Sequence, residues 1–216
     1  MIPEGHQERL SGDARLELAA LCRRVIDELA SSTADSEAFL AAGELLRDAV
    51  GVLEAATHGR PYAGGEASMA GYQRNLFIDH SPFSGWLNPL APPMTLTSDG
   101  TEVVATVTFG AAYEGPPGHV HGGYVAAAFD EVLGFAQGLS GKPGMTAHLG
   151  IDYKSPTPLY LPLRFRGDIE RIDGRKIFTR GELRVATDDR LCATATGLFV
   201  SMRDDTFARL MRERGS

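Results

Sequence analysis

The residues best suited to chemistry lie in one stretch, Gly118-His119-Val120-His121-Gly122-Gly123-Tyr124, which runs on through Val125-Ala126-Ala127-Ala128-Phe129-Asp130-Glu131-Val132-Leu133-Gly134-Phe135. From Tyr124 to Phe135 only Asp130 and Glu131 are charged. A helix that is apolar nearly all round is a buried helix. An ionised carboxylate inside it is costly without partners, which makes Asp130 a functional candidate. Glu131 is expected to reach solvent at a rim. Gly122 and Gly123 stand at the helix start, where the first N–H groups lack internal partners and the dipole favours negative charge. Glycine there lets a carbonyl approach the backbone closely, as an oxyanion hole requires. Asp130 lies nine positions after His121, about 13 Å along a helix. One helix therefore cannot place its N-terminal N–H groups and Asp130 on the same carbonyl. Two antiparallel copies can, which predicts a homodimer with composite sites.

The elements that must position these residues follow from periodicity. Residues 10–57 read as two helices, the first with Leu18, Leu21, Val25 and Leu29 at helical spacing and the second with Phe39, Leu45, Leu46, Val50 and Leu53. Residues 58–93 carry Gly64-Gly65, Ser81-Pro82, Asn88-Pro89 and Pro92-Pro93 and no sustained period, so they form a long loop. Its Phe77, Phe83, Trp86 and Leu87 either anchor it or line an acyl pocket. From residue 94 the period is two. Val103, Ala105, Val107 and Phe109 share one strand face, after a tight turn at Asp99-Gly100. Beyond the helix, set at 122–139, four strand-like runs fall near 145–154, 159–172, 175–187 and 190–203. Asp173-Gly174 and Asp188-Asp189 mark hairpins. Leu159, Leu161, Leu163 and Phe165 alternate, and Pro162 places their strand at an edge or at a bulge. Residues 204–216 read as a short helix or tail. Hairpin-linked strands with one covering helix make an antiparallel α+β domain.

His121-Gly122-Gly123 with an acid nine residues after the histidine resembles the hotdog-fold thioesterases, in particular their PaaI-like group. Thr146-Ala-His-Leu-Gly-Ile-Asp-Tyr-Lys-Ser-Pro resembles a Thr-Ala-x-Leu-x-Ile-x-Tyr-Lys-x-Pro strand of that family, and Gly174-Arg175-Lys176 a Gly-Arg-Lys turn. The resemblance covers residues 88–202 and implies a curved antiparallel sheet around one long helix, assembled as dimers or tetramers, that hydrolyses acyl-CoA. It implies Asp130 as general base or nucleophile and Gly122, with Gly123 beside it, as oxyanion donors. His121 would lie near the thioester, and Thr146 would hold the attacking water. Lys154, Arg175 and Lys176 become candidates for the CoA phosphates, with Ser155, Pro156 and Asn88 as further substrate-binding candidates. The division is then a helical extension at 1–60, a connecting loop at 61–93, the hotdog domain at 94–203 and a tail.

Thioester chemistry suits this set. Thiolate leaves readily, so one base and oxyanion donors suffice without a triad, and no Gly-x-Ser-x-Gly elbow or nucleotide fingerprint is present. The alternatives on the same residues are a hydroxyacyl-CoA dehydratase and a non-catalytic acyl-CoA-binding protein. His119 and His121 lack further spaced ligands, so no metal is expected. No cofactor is expected beyond the CoA carried by the substrate. The 216-residue chain has a net charge of −7, which argues against a nucleic-acid surface. No run approaches the roughly 18 apolar residues of a membrane span. Cys22 and Cys192 form no redox motif, and the N-terminus has no secretory core, so a cytoplasmic setting is expected.

Overall fold

A computed structural model of the chain describes residues 14–55, 81–92, 94–142 and 144–201. Phe77 and the helix or tail expected over 204–216 lie outside the described residues. Helices α1 (Ala14–Ser31) and α2 (Ser36–Glu54) come first, α2 capped by the Asp35 carboxylate, which accepts from the Ala38 N–H. Strands β1 (Thr95–Ser98) and β2 (Glu102–Val107) form a hairpin. A short 3-10 turn, Ala111–Tyr113, leads into helix α3 (Gly122–Gly138). Strands β3 (Gly144–Tyr153), β4 (Leu163–Asp173), β5 (Lys176–Val185) and β6 (Leu191–Ser201) follow. All six strands join one antiparallel sheet in the order β1-β2-β4-β5-β6-β3, so β1 and β3 are its edges.

α3 lies against the inner face of this sheet and touches every strand from β2 to β3. The core sits between them, with Phe129, Val132 and Leu133 of α3 against Phe165, Leu183 and Phe199, all at 2 % exposure or less. The close fit has a cause in sequence. Leu133 presses on Gly167, Gly181 and Gly197, where an added Cβ would stand 3.1–3.3 Å from its methyl groups. Three strands thus carry no side chain where the helix crosses them.

Several expectations change. Pro162 is neither at an edge nor in a bulge. It precedes β4, an interior strand, so its missing N–H costs no ladder bond, and its carbonyl accepts from the Ala186 N–H. Leu161 is exposed because that alternation begins only at Leu163. In α1 the Leu18, Leu21 and Leu29 side chains face outward. The helix docks instead through Ala19, Arg23 and Asp27, one turn apart each, because polar contacts to loop backbone decide its orientation. No residue of α2 is buried.

The edge strand β3 carries a bulge between Thr146 and His148. Leu149, Ile151 and Tyr153 pair with Gly197, Ala195 and Ala193 on the inner face, and so does Thr146, opposite Phe199. Without the extra residue, period two would turn Thr146 outward.

Candidate active site

The bulge has a direct consequence. The inward-turned Thr146 hydroxyl donates to Asp130 Oδ1 at 2.9 Å. Asp130 is half-buried on α3 at the open side next to edge strand β3, so one carboxylate oxygen is held and the group remains reachable. Glu131 behaves differently from the expectation of a solvated rim acid. Its Oε1 accepts from the Ser81 hydroxyl at 2.6 Å and from the Ser84 hydroxyl, both serines being buried. The loop supplies the partners that a carboxylate on this helix needs.

At the N-terminus of α3, His121 is the N-cap. Its Nδ1 accepts from the Gly123 N–H at 3.0 Å, and its backbone carbonyl accepts from the Tyr124 and Val125 N–H groups. Nδ1 in the acceptor role leaves Nε2 to carry the ring proton. The Gly123 N–H is therefore spent on the cap. Among the described residues, no acceptor lies on the Gly122 N–H, so of the two glycines Gly122 holds the free donor. Tyr153, also on the inner face, donates its hydroxyl to the Gly122 carbonyl at 2.7 Å and so holds the next peptide, between Gly122 and Gly123. Tyr113 closes the back. Its carbonyl accepts from the His121 N–H and its ring meets Tyr124 edge-on. Burial pushes its phenol up to about 12.

The remaining candidates divide between the two ends of the sheet. Lys154 follows the last residue of β3 and pairs loosely with Asp152 at 3.7 Å. Ser155 donates to the Leu191 carbonyl and accepts from Arg190, which also binds the Pro156 carbonyl. These two residues shape the turn beside Lys154. Arg175 and Lys176 sit at the opposite end, where Arg175 Nε donates to the Ser201 carbonyl at 2.9 Å. The register from Cys192 to Ser201 sets the two groups about 30 Å apart within one chain. Asn88 belongs to neither group. Its side-chain oxygen accepts from the Leu90 N–H and its carbonyl from Arg23, so it builds the 81–92 loop. Among the described residues no cluster of three His, Cys, Asp or Glu could hold a metal.

A family model described as the thioesterase superfamily matches residues 117–193. The crystal structure of a thioesterase superfamily protein superposes with a TM-score of 0.74 at 39 % identity, covering 88 % of this chain and 96 % of that one. This chain belongs to the thioesterase superfamily. Its α+β architecture is the hotdog fold, here with a six-stranded open sheet. Among curated superfamily relatives, acyl-coenzyme A thioesterase THEM4 of Xenopus laevis is 39 % identical over 41 % of this chain and 40 % of its own length. THEM4 of Rattus norvegicus is 34 % identical over 48 % of this chain and 44 % of its own. The match thus spans less than half the length of these curated relatives.

Sequence reasoning puts Glu131 at a solvated rim and does not pick out Tyr153 or the pairing of the two serines with that acid. Tyr153 stands inside the family-like strand motif, a signal that was available. Ser81 and Ser84 meet Glu131 across 50 and 47 positions, and no local pattern shows that.

Proposed function

We propose that this superfamily member is an acyl-CoA thioesterase. Asp130 serves as general base, or as nucleophile, Thr146 holds it and the attacking water, and the Gly122 N–H receives the developing oxyanion. His121 Nε2–H is the second donor in this reading. The pattern His121-Gly122-Gly123 with Asp130 supports an assignment to the PaaI-like group.

One observation carries this reading. The held carboxylate and the free N–H lie on one helix, about 12 Å apart, so each suits half of a site. The completing half is a second copy paired antiparallel along the exposed edge of β3. That pairing would bring the Asp130–Thr146 end of one protomer to the Gly122–Tyr153 end of the other. It would also bring Lys154 of one protomer towards Arg175 and Lys176 of the other, where cations suit CoA phosphates.

The test is a panel of acyl-CoAs followed by release of free thiol. Turnover is expected, and Asp130→Asn should lower kcat by orders of magnitude with the fold retained. Hydration of crotonyl-CoA without thiol release would instead favour the dehydratase. Binding with neither reaction would favour a non-catalytic role.

A further inference from the structure

Helix α1 lies outside the residues that match the family model, yet its docked face is tied to α3 at two places, the middle of the helix and its N-terminus. Arg23 directs one guanidinium at four backbone carbonyls of a single loop. Nε donates to Ala91 at 3.0 Å, and Nη2 to Asn88 at 3.2 Å, to Gly85 at 3.4 Å and to Trp86. Burial lowers the Arg23 pKa, so the contact is made at a desolvation cost. The same loop grips α3 from its other side. Ser81 and Ser84 donate to Glu131, and the Ser81 hydroxyl also accepts from the Phe83 and Ser84 N–H groups. The two attachments meet at consecutive residues, Ser84 and Gly85. Glu131 is the immediate neighbour of Asp130.

One turn further along α1, Asp27 lies against Gly110 so closely that a side chain there would collide with its carboxylate. It also accepts from the Ala112 N–H at 3.4 Å. That segment continues to Tyr113, whose carbonyl receives the His121 N–H.

We propose that residues 81–92 are a strap fixing the Asp130 helix, fastened by Arg23 on one side and Glu131 on the other, which makes both residues positioning residues for the Asp130 carboxylate. The proposal rests on the thioesterase reading for its kinetic consequence but not for its physical one. Neither residue touches the reacting atoms. Releasing either fastening lets the helix around Asp130 shift against Thr146, and a misplacement of about 1 Å can cost up to roughly 100-fold in rate.

The chain's single tryptophan, Trp86, stands on the strap. It gives a reading of strap release that needs no turnover. In folded protein, Arg23→Ala and Glu131→Ala should each shift Trp86 emission to the red and raise its quenching by acrylamide. With an acyl-CoA that the protein turns over, each should lower kcat by about 10- to 100-fold with KM little changed. The double variant should be no slower than the slower single, because a strap released at one end has nothing more to lose. Glu131→Gln should recover most of kcat, since its amide oxygen still accepts from both serines. Arg23→Lys should recover part, since an ammonium keeps the charge and three donors but not the planar fork of the guanidinium. It also serves as the folded variant if Arg23→Ala does not fold.

Unchanged Trp86 emission and quenching in the variants would overturn the proposal. So would wild-type kcat in them, or single effects that multiply in the double variant. The two readings fail separately. An active Asp130→Asn defeats the base assignment and leaves the fluorescence prediction standing. An inactive Asp130→Asn beside a fully active, folded Arg23→Ala defeats only the strap.

Discussion

Gly122 can be tested with unusual specificity, because the backbone around it suits proline. It is the first helical residue of α3, where proline is tolerated since that N–H has no intrahelical role. The preceding His121 has φ −60 and ψ 131, the extended geometry that a residue before proline prefers. Gly122→Pro therefore removes one N–H with little backbone strain, and the nearest atoms to an added Cβ are the Tyr153 hydroxyl at 3.3 Å and its ring carbons from 3.5 Å, the far end of a side chain that can give way. The expected result is a kcat lower by about 100- to 1,000-fold with unchanged circular dichroism. His121 calls for the opposite design, because it caps the helix and presents Nε2–H at once. Asn is a good N-cap, so His121→Asn should keep the melting temperature and lose kcat. If kcat is retained along with the melting temperature, the ring has no catalytic share. Thr146→Ala removes the donor to Asp130 and should slow turnover about 10-fold or more, whereas Thr146→Ser should not.

At the scale of elements, the fit of α3 to the sheet is set by glycines whose surroundings differ sharply. A Cβ on Gly181 would come within 2.6 Å of the Arg166 carbonyl and 3.1 Å of Leu133. Backbone cannot yield there, so Gly181→Ala should cost about 1–3 kcal/mol in thermal unfolding. Gly134 is also on α3, but its nearest neighbour, Phe199, is 4.0 Å away. Gly134→Ala should stabilise the helix by up to about 1 kcal/mol, raising Tm by roughly 2–4 °C. Such contrasts show where sequence is legible. The hairpins at Asp99-Gly100 and Asp173-Gly174, the apolar helix and the pairing of acid with glycine could all be read because they depend on neighbours a few positions away. The bulge after Thr146 could not, because it is defined only against β6. The docked face of α1 is hidden for a related reason. Leu18, Leu21 and Leu29 have the helical period of a buried stripe, but four carbonyls on a distant loop hold Arg23 and turn the helix the other way. Glu131 could be read as a charge on an apolar helix, while its serine partners belong to a loop without any period.

For the whole molecule the two sheet edges are unequal. β1 has four residues, while β3 has ten and leaves Met145 and Tyr153 more than half exposed. A long edge with free backbone groups invites another strand. Thr146 and Tyr153, near the two ends of β3, touch α3 at Asp130 and at Gly122. A two-fold axis near the middle of β3 would exchange those ends between protomers, and an isologous contact of this kind makes two equal sites. This predicts complementation. Asp130→Asn and Gly122→Pro should each be nearly inactive alone. Unfolded together in equal amounts and refolded, they should form mixed dimers in which one site has both defects and the other has neither. With random pairing half of the dimers are mixed, so activity should return to about one quarter of wild type. If each chain held a complete site, mixing would restore nothing. An active protein that light scattering shows to be strictly monomeric would exclude the shared site by itself, since 12 Å of helix, about eight residues, separates the two groups in any single chain.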